Sequence, residues 1–194
     1  MLQSLEIPGA HEPVSPAEIT VIEERVKEQL EAAMSFDPVS WACTSFHPAS
    51  PHENLEKRIR MASAHRAAVC LFVARVLPNN SALLDPSSPT MFIYPAALAT
   101  EIVYQLSDVN PGDAVFKSIS WALFLAGAES EIPTERAWIV QKLYTLWREL
   151  YWGYVRTVME VLQYIWSFKD REARGVDVCW VDEIKRLGTE LLIA

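Results

Sequence analysis

Eight polar side chains stand inside otherwise apolar stretches of this 194-residue chain: His65, Arg66, Arg75, Glu101, Glu129, Arg136, Arg148 and Arg156. A charge within a helical core is costly unless it is paired, so each of these groups requires a partner or a ligand. Two of them have the chemistry of an acid–base pair. Glu101 lies among Leu98, Ile102 and Val103, where an unpaired carboxylate has a raised pKa and works as a general acid or base near neutrality. His65 titrates in that range by nature. The competing account is structural: Glu101 faces solvent on the polar side of its helix, and His65 hydrogen-bonds a carbonyl.

Aromatic residues are the second notable group. The chain has seven tryptophans and six tyrosines, and Trp138, Tyr144, Trp147, Tyr151, Trp152 and Tyr154 crowd one short region. Aromatic walls with a few polar tips are the usual lining of small-molecule pockets. The expected site therefore combines Glu101 and His65 as catalytic groups with Arg66, Trp121, Trp147, Tyr151, Trp152 and Tyr154 as substrate-binding groups. The alternative is that the rings join helices as ordinary core.

Other chemistries are not indicated. The four histidines (His11, His47, His52, His65) show no i, i+4 spacing, and Cys43, Cys70 and Cys179 are far apart and odd in number, so no metal site or disulfide framework is expected. There is no nucleotide-binding loop, dinucleotide fingerprint or nucleophile elbow, and no cofactor is expected. The net charge is -8 with a pI near 5.0 and no dense basic run, a balance that disfavours direct nucleic-acid binding. No apolar stretch approaches the roughly 20 residues of a membrane span, and the N-terminus does not read as a signal peptide. The expected location is intracellular, cytoplasmic or nuclear.

Helical periodicity accounts for the elements that must position these groups. Residues 1–14, with Pro8 and Pro13, read as a flexible arm, and residues 15–194 as a single helical domain. Ser15, Pro16 and Glu18 form a helix start, and Ile19, Ile22, Val26 and Leu30 share one face up to Phe36. A loop rich in Pro, Ser and His spans 37–52 as an irregular cover or mobile link. Further helices are expected from Glu53 to Leu77, from Thr90 or Pro95 to Ser107, from Asn110 and Pro111 to a stop near Gly127, around Ile139 to Leu150, around Val155 to Trp166, and from near Asp177. No segment alternates with period two. The fold class is all-α, with seven or eight helices.

The run from Ile119 to Trp166 resembles the end of the fungal-specific transcription factor domain, the helical regulatory region of fungal zinc binuclear cluster transcription factors. The residues that carry the resemblance are Trp121, Leu123, Phe124, Ala126 and Gly127, then Glu129, Arg136, Trp138, Gly153, Val155, Arg156 and Trp166, with 64–78 similar to an earlier helix of the family. It covers the chain from about residue 60 onward. The resemblance implies that Arg75, Glu129, Arg136 and Arg156 are scaffold ion pairs and that Trp121, Trp138 and Trp166 are core. Two departures stand out: Ala122 replaces the usual Pro, and Tyr154 the usual Asn. The six-cysteine zinc cluster and basic segment of the family are not in this sequence, so the regulatory fold is expected without a DNA-binding head.

Two functions compete on these grounds. One is a stand-alone, cofactor-independent cyclase or isomerase of fungal secondary metabolism that folds a hydrophobic, polyketide-like molecule for lactone or pyrone formation by proximity and one acid–base pair. The other is a transcriptional co-regulator or ligand sensor without its own DNA-binding domain. Homodimerisation through apolar helix faces is expected in either case, with the helix from Ser15 to Phe36 as the detachable element.

Overall fold

The computed structural model describes residues 16–45, 54–76, 94–171 and 179–187. Every regular element among them is helical, as the periodicities require: eight α-helices and one short 3-10 turn. The proposed arm, residues 1–14, lies outside the described residues.

Helix α1 (Pro16–Ser35) starts at the proline expected in its first position. Leu30 is fully buried against Cys70 and Ala74, with Val26 and Ala33 packed beside it. Helix α2 (Pro38–Ser45) is a correction, because it occupies half of the segment read as irregular cover; residues 46–53 lie outside the described residues. Its cause is local. The Asp37 carboxylate accepts from the Val39 N–H at 2.9 Å and from the Ser40 hydroxyl at 2.6 Å, and Pro38 follows as the first helical residue, the cap-then-proline order favoured at helix starts. The hydrogen bond from the Ser40 side chain, followed by those from the Ser40 and Val39 backbones, holds the Asp37 carboxyl below the usual range.

Helix α3 (Leu55–Val76) buries Ala62, Ala64, Ala67, Ala68 and Ala74, whose small side chains let neighbouring backbones approach closely. Helix α4 (Pro95–Leu106) packs along it. The next expected helix start is also corrected. Asn110 and Asp113 close a turn, with the Asn110 N–H donating to Asp113 Oδ2 at 2.7 Å and the Asp113 N–H to the Asn110 carbonyl at 2.9 Å. A 3-10 turn at Phe116–Ser118 then leads into α5 (Ser120–Glu129).

Nine of the ten residues of α5 are buried, as befits a helix apolar on all sides, and α3, α4, α6 and α7 pack around it. Gly127 does not end this helix. It sits within it, and a Cβ there would meet both Leu162 methyls at 3.0 Å and Ile139 Cγ2 at 3.3 Å, so the glycine permits close approach of α6 and α7. Helix α6 (Pro133–Leu150) ends in a left-handed residue, Tyr151, with φ of 53°, a conformation usually given to glycine. Helix α7 (Gly153–Lys169) buries Val155, Val158, Val161, Leu162 and Ile165. Helix α8 (Trp180–Leu187) inserts Trp180 edge-on against Phe124 at 5.6 Å between ring centroids. No helix among the described residues is long and apolar enough to cross a membrane.

Candidate functional site

A half-open cavity of about 660 Å³ lies where α1 and α2 lean over α3. The end of α1 supplies Gln29, Ala32 and Ala33, Phe36 follows it, and α2 supplies Trp41. One face of α3 contributes Arg58, Met61, Ala62, His65, Arg66 and Val69, and the turn before α5 adds Val115 and Ser118. The spacing on α3 follows from helical geometry, since positions three, four and seven apart share a face.

Arg58 and His65 on this wall are held in place. Arg58 donates to the Ser45 carbonyl at 2.6 Å, which ties α3 to the end of α2, and its guanidinium lies 5.6 Å from the centre of the Trp41 ring. Trp41 in turn meets Phe36 at 6.1 Å. His65 Nδ1 is 3.0 Å from the Met61 carbonyl. Because a carbonyl only accepts, this bond places the proton on Nδ1 and leaves Nε2 of the neutral ring an acceptor. The ring also lies 5.9 Å from that of Trp121.

Arg66 borders a second cavity of about 410 Å³, which it shares with Met34, Ala67, Cys70, Tyr94, Ala97, Leu98 and Glu101. Across it, Arg66 Nη2 contacts Glu101 Oε1 at 3.3 Å, with each side chain about one-third exposed (33% and 34%). Glu101 is therefore an ion-paired, partly hydrated carboxylate, which corrects the expectation of an unpaired group enclosed by apolar neighbours. Burial pushes the Cys70 thiol upward in pKa, keeping it protonated at neutral pH.

The structure divides the residues expected to act together. His65 and Arg66 line the first cavity, Arg66 and Glu101 the second, and Trp121 lines neither, its ring lying near that of His65. Trp147, Tyr151, Trp152 and Tyr154 lie at the corner between α6 and α7 and line neither cavity. There Trp147 stands between Tyr144 and Tyr151, at 5.7 and 6.4 Å, Trp152 stacks on Tyr154 at 5.7 Å, and the Tyr154 hydroxyl pairs with Ser120 Oγ at 2.8 Å. Phe36, Trp41 and Arg58 do not stand out in the sequence as site residues. The signal that could have found them is the Asp37–Pro38 helix start, which brings Trp41 over α3.

The sequence profile described as fungal specific transcription factor domain matches residues 18–194. The chain belongs to this family. The match begins well upstream of residue 60 and takes in the helices that roof the first cavity. The chain is also 35% identical over 170 residues to the acriflavine sensitivity control protein acr-2 of Neurospora crassa, covering 84% of the present chain and 28% of that protein. It thus spans little more than a quarter of the relative's length. No solved structure matches.

Membership in the family gives a setting for a polar clasp at the other end of the bundle. Arg75 holds Glu129 through two hydrogen bonds, one of them Nε to Oε2 at 2.8 Å, with the side chains 11% and 5% exposed. Arg136 donates to the Ser130 carbonyl at 2.9 Å and to Asp170 at 2.8 Å while lying over Trp166, and the Trp166 indole donates to the Gly127 carbonyl at 2.8 Å. Lys169 donates to the Glu129 carbonyl at 3.1 Å, and burial depresses its pKa. These contacts tie α3, α5, α6 and α7 together. Arg156 is different: it makes an exposed pair with Glu160 one turn along α7, a contact worth a few tenths of a kcal/mol at most (roughly 0.3–0.5). Among the described residues, no group of three or more His, Cys, Asp or Glu could hold a metal ion.

Proposed function

We propose that this chain is a regulatory domain of the fungal transcription factor type that senses a small apolar molecule in the cavity between α1, α2 and α3. The observation that carries the reading is the cavity itself, whose size falls within the range of drug-sized ligand sites, roughly 300–1,000 Å³, and whose lining is mostly alanine, aromatic and other apolar side chains. The name of the acr-2 protein, which refers to control of acriflavine sensitivity, is in keeping with it. In this acidic region the contribution to transcription is ligand and protein contact rather than base contact, exerted in the nucleus or between cytoplasm and nucleus, with a homodimer as the working unit.

The test is saturable binding of N-phenyl-1-naphthylamine, a neutral apolar fluorophore, to the purified chain. Stoichiometric binding is expected, and Ala33→Trp, which fills the cavity from α1, should abolish it while circular dichroism shows an unchanged helical spectrum. A folded chain that binds no dye, or a variant that binds as before, would overturn the reading.

A second reading, a cofactor-independent cyclase or isomerase acting on a polyketide-like molecule, keeps one observation in its favour: His65 lines the cavity with its tautomer set by Met61, leaving Nε2 suited to accept a proton. The pairing of Glu101 with Arg66, and the position of the α6–α7 aromatic corner outside both cavities, weigh against Glu101 and those rings as its machinery. Under this reading His65→Gln abolishes turnover while circular dichroism shows an unchanged helical spectrum.

A further inference from the structure

The charge on the cavity wall is opposite to that of the whole chain. The net charge of the sequence is -8, yet the charged residues lining the first cavity are Arg58 and Arg66, with His65 beside them and no carboxylate among the described lining residues. Their environments differ. Arg58 is engaged by Trp41 and the Ser45 carbonyl, which makes it a fixed positive charge. Arg66 stands on the partition between the two cavities, and its contact with Glu101 is a single long one of 3.3 Å between groups one-third exposed to solvent. A pair of that kind contributes little, because water competes for both partners. A better acceptor on the other side of the partition can therefore displace it, since charge-assisted hydrogen bonds to a partly desolvated guanidinium are among the strong ones.

We propose, on the cavity-binding reading above, that the ligand is an apolar molecule carrying one anionic group, of the monocarboxylic acid class, and that its anion draws Arg66 away from Glu101. The apolar body lies among Ala32, Ala33, Phe36, Met61 and Val69. The acid head meets Arg66 within the positive field of Arg58. Because Glu101 is on α4 and Arg66 on α3, occupation of the cavity loosens an ion pair that links these helices beside the site, which couples ligand chemistry to helix packing. Charge complementarity sets this occupant apart from a neutral or cationic one.

The experiment compares three probes on the full chain: N-phenyl-1-naphthylamine, its anionic counterpart 8-anilinonaphthalene-1-sulfonate, whose sulfonate stands in for the carboxylate, and acriflavine, a cationic acridine. The anionic probe is expected to bind about tenfold more tightly than the neutral one at low salt, an advantage that shrinks as ionic strength rises, with acriflavine weakest. Glu101→Gln frees Arg66 and should raise affinity for the anion by about threefold or more while leaving the neutral probe unchanged. The double variant Arg66→Met/Glu101→Gln removes the guanidinium without stranding a carboxylate, and should bring the anionic probe's affinity down to that of the neutral one. A gain in Glu101→Gln is an outcome that mere loss of a structural contact does not produce.

Equal affinity for the neutral and anionic probes, or no gain in Glu101→Gln, overturns the anion proposal and leaves the cavity reading standing. Failure of all probes to bind the folded chain overturns the cavity reading itself. Light scattering that shows a dimer split by Ala33→Trp would make a second copy of the chain the occupant, and would likewise overturn the proposal.

Discussion

Arg75 and Arg66 lie on the same helix and each faces a glutamate on a neighbouring helix, yet the two pairs are built differently. The Arg75–Glu129 pair is bidentate and almost fully buried, with Lys169, Arg136 and Trp166 satisfying the surrounding carbonyls. The Arg66–Glu101 pair is a single contact, one-third exposed, with a cavity on either side of its guanidinium. The first is closed to exchange because its donors and acceptors are already engaged with one another. The second is one partly exposed contact made by a residue that lines two cavities. The comparison separates a charge that holds the bundle together from one available to a ligand, although both look alike as single arginines in an apolar run.

The largest expected effect tests the clasp. Glu129→Ala strands a buried guanidinium and should destabilise the chain by about 3–5 kcal/mol, whereas Glu101→Ala should cost no more than about 1 kcal/mol. Urea unfolding of the two variants measures this directly, and equal losses would erase the distinction drawn between the pairs.

Packing gives the next contrast. At Gly127 a single added methyl meets Leu162 at 3.0 Å and Ile139 at 3.3 Å, so Gly127→Ala should cost about 1–3 kcal/mol through overpacking. Ala33→Leu adds more carbon, but into the cavity, and should be neutral or stabilising by up to about 1 kcal/mol as apolar area leaves water. Melting temperatures moving in the same direction for both would show that the α1–α3 region is as tightly filled as the core.

The aromatic corner supplies a smaller effect. Tyr154→Phe removes the hydroxyl pair with Ser120, itself buried at 7% exposure, and should lower stability by about 1 kcal/mol while leaving dye affinity in the α1–α3 cavity unchanged. A change in affinity instead would return Tyr154 to the binding site.

The smallest effect is a pH slope. Burial depresses the folded-state pKa of Lys169, so between that value and its unfolded pKa near 10.4 the unfolded chain binds more protons. Stability contributed by this group therefore rises with pH through that window, as the cost of burying the ammonium is relieved. Relative to Lys169→Met, the native chain should gain stability as alkaline pH is approached, measured by denaturant midpoints; a gain on acidification would contradict the burial of Lys169.

Much of the architecture was legible in the sequence, because it is written in local chemistry. Apolar residues at i, i+3, i+4 and i+7 placed α3, α6 and α7, proline at the first helical position placed α1, and the absence of period-two alternation argued against sheet. Even α2 was legible in principle: Asp37 followed by Pro38 repeats the sequence pattern of Ser15 followed by Pro16, obscured by the surrounding Pro, Ser and His. Asn110, Pro111 and Asp113 show the opposite failure, since a helix start and an isolated turn use the same side-chain bonds and differ only in whether the residues beyond them continue the helix. Gly127 reads as a stop in the chain and becomes a packing position only when α6 and α7 are laid against α5. Partner choice was not legible at all. Nothing local distinguishes Arg75, whose carboxylate is on α5, from Arg66, whose carboxylate is on α4, or shows that Trp41 rather than Trp152 faces Arg58. Helix identity follows from backbone periodicity and capping, which act within a turn or two. Whether a charge ends up clasped in the core or beside an open cavity depends on which helices meet and how closely, and that is decided only by tertiary packing.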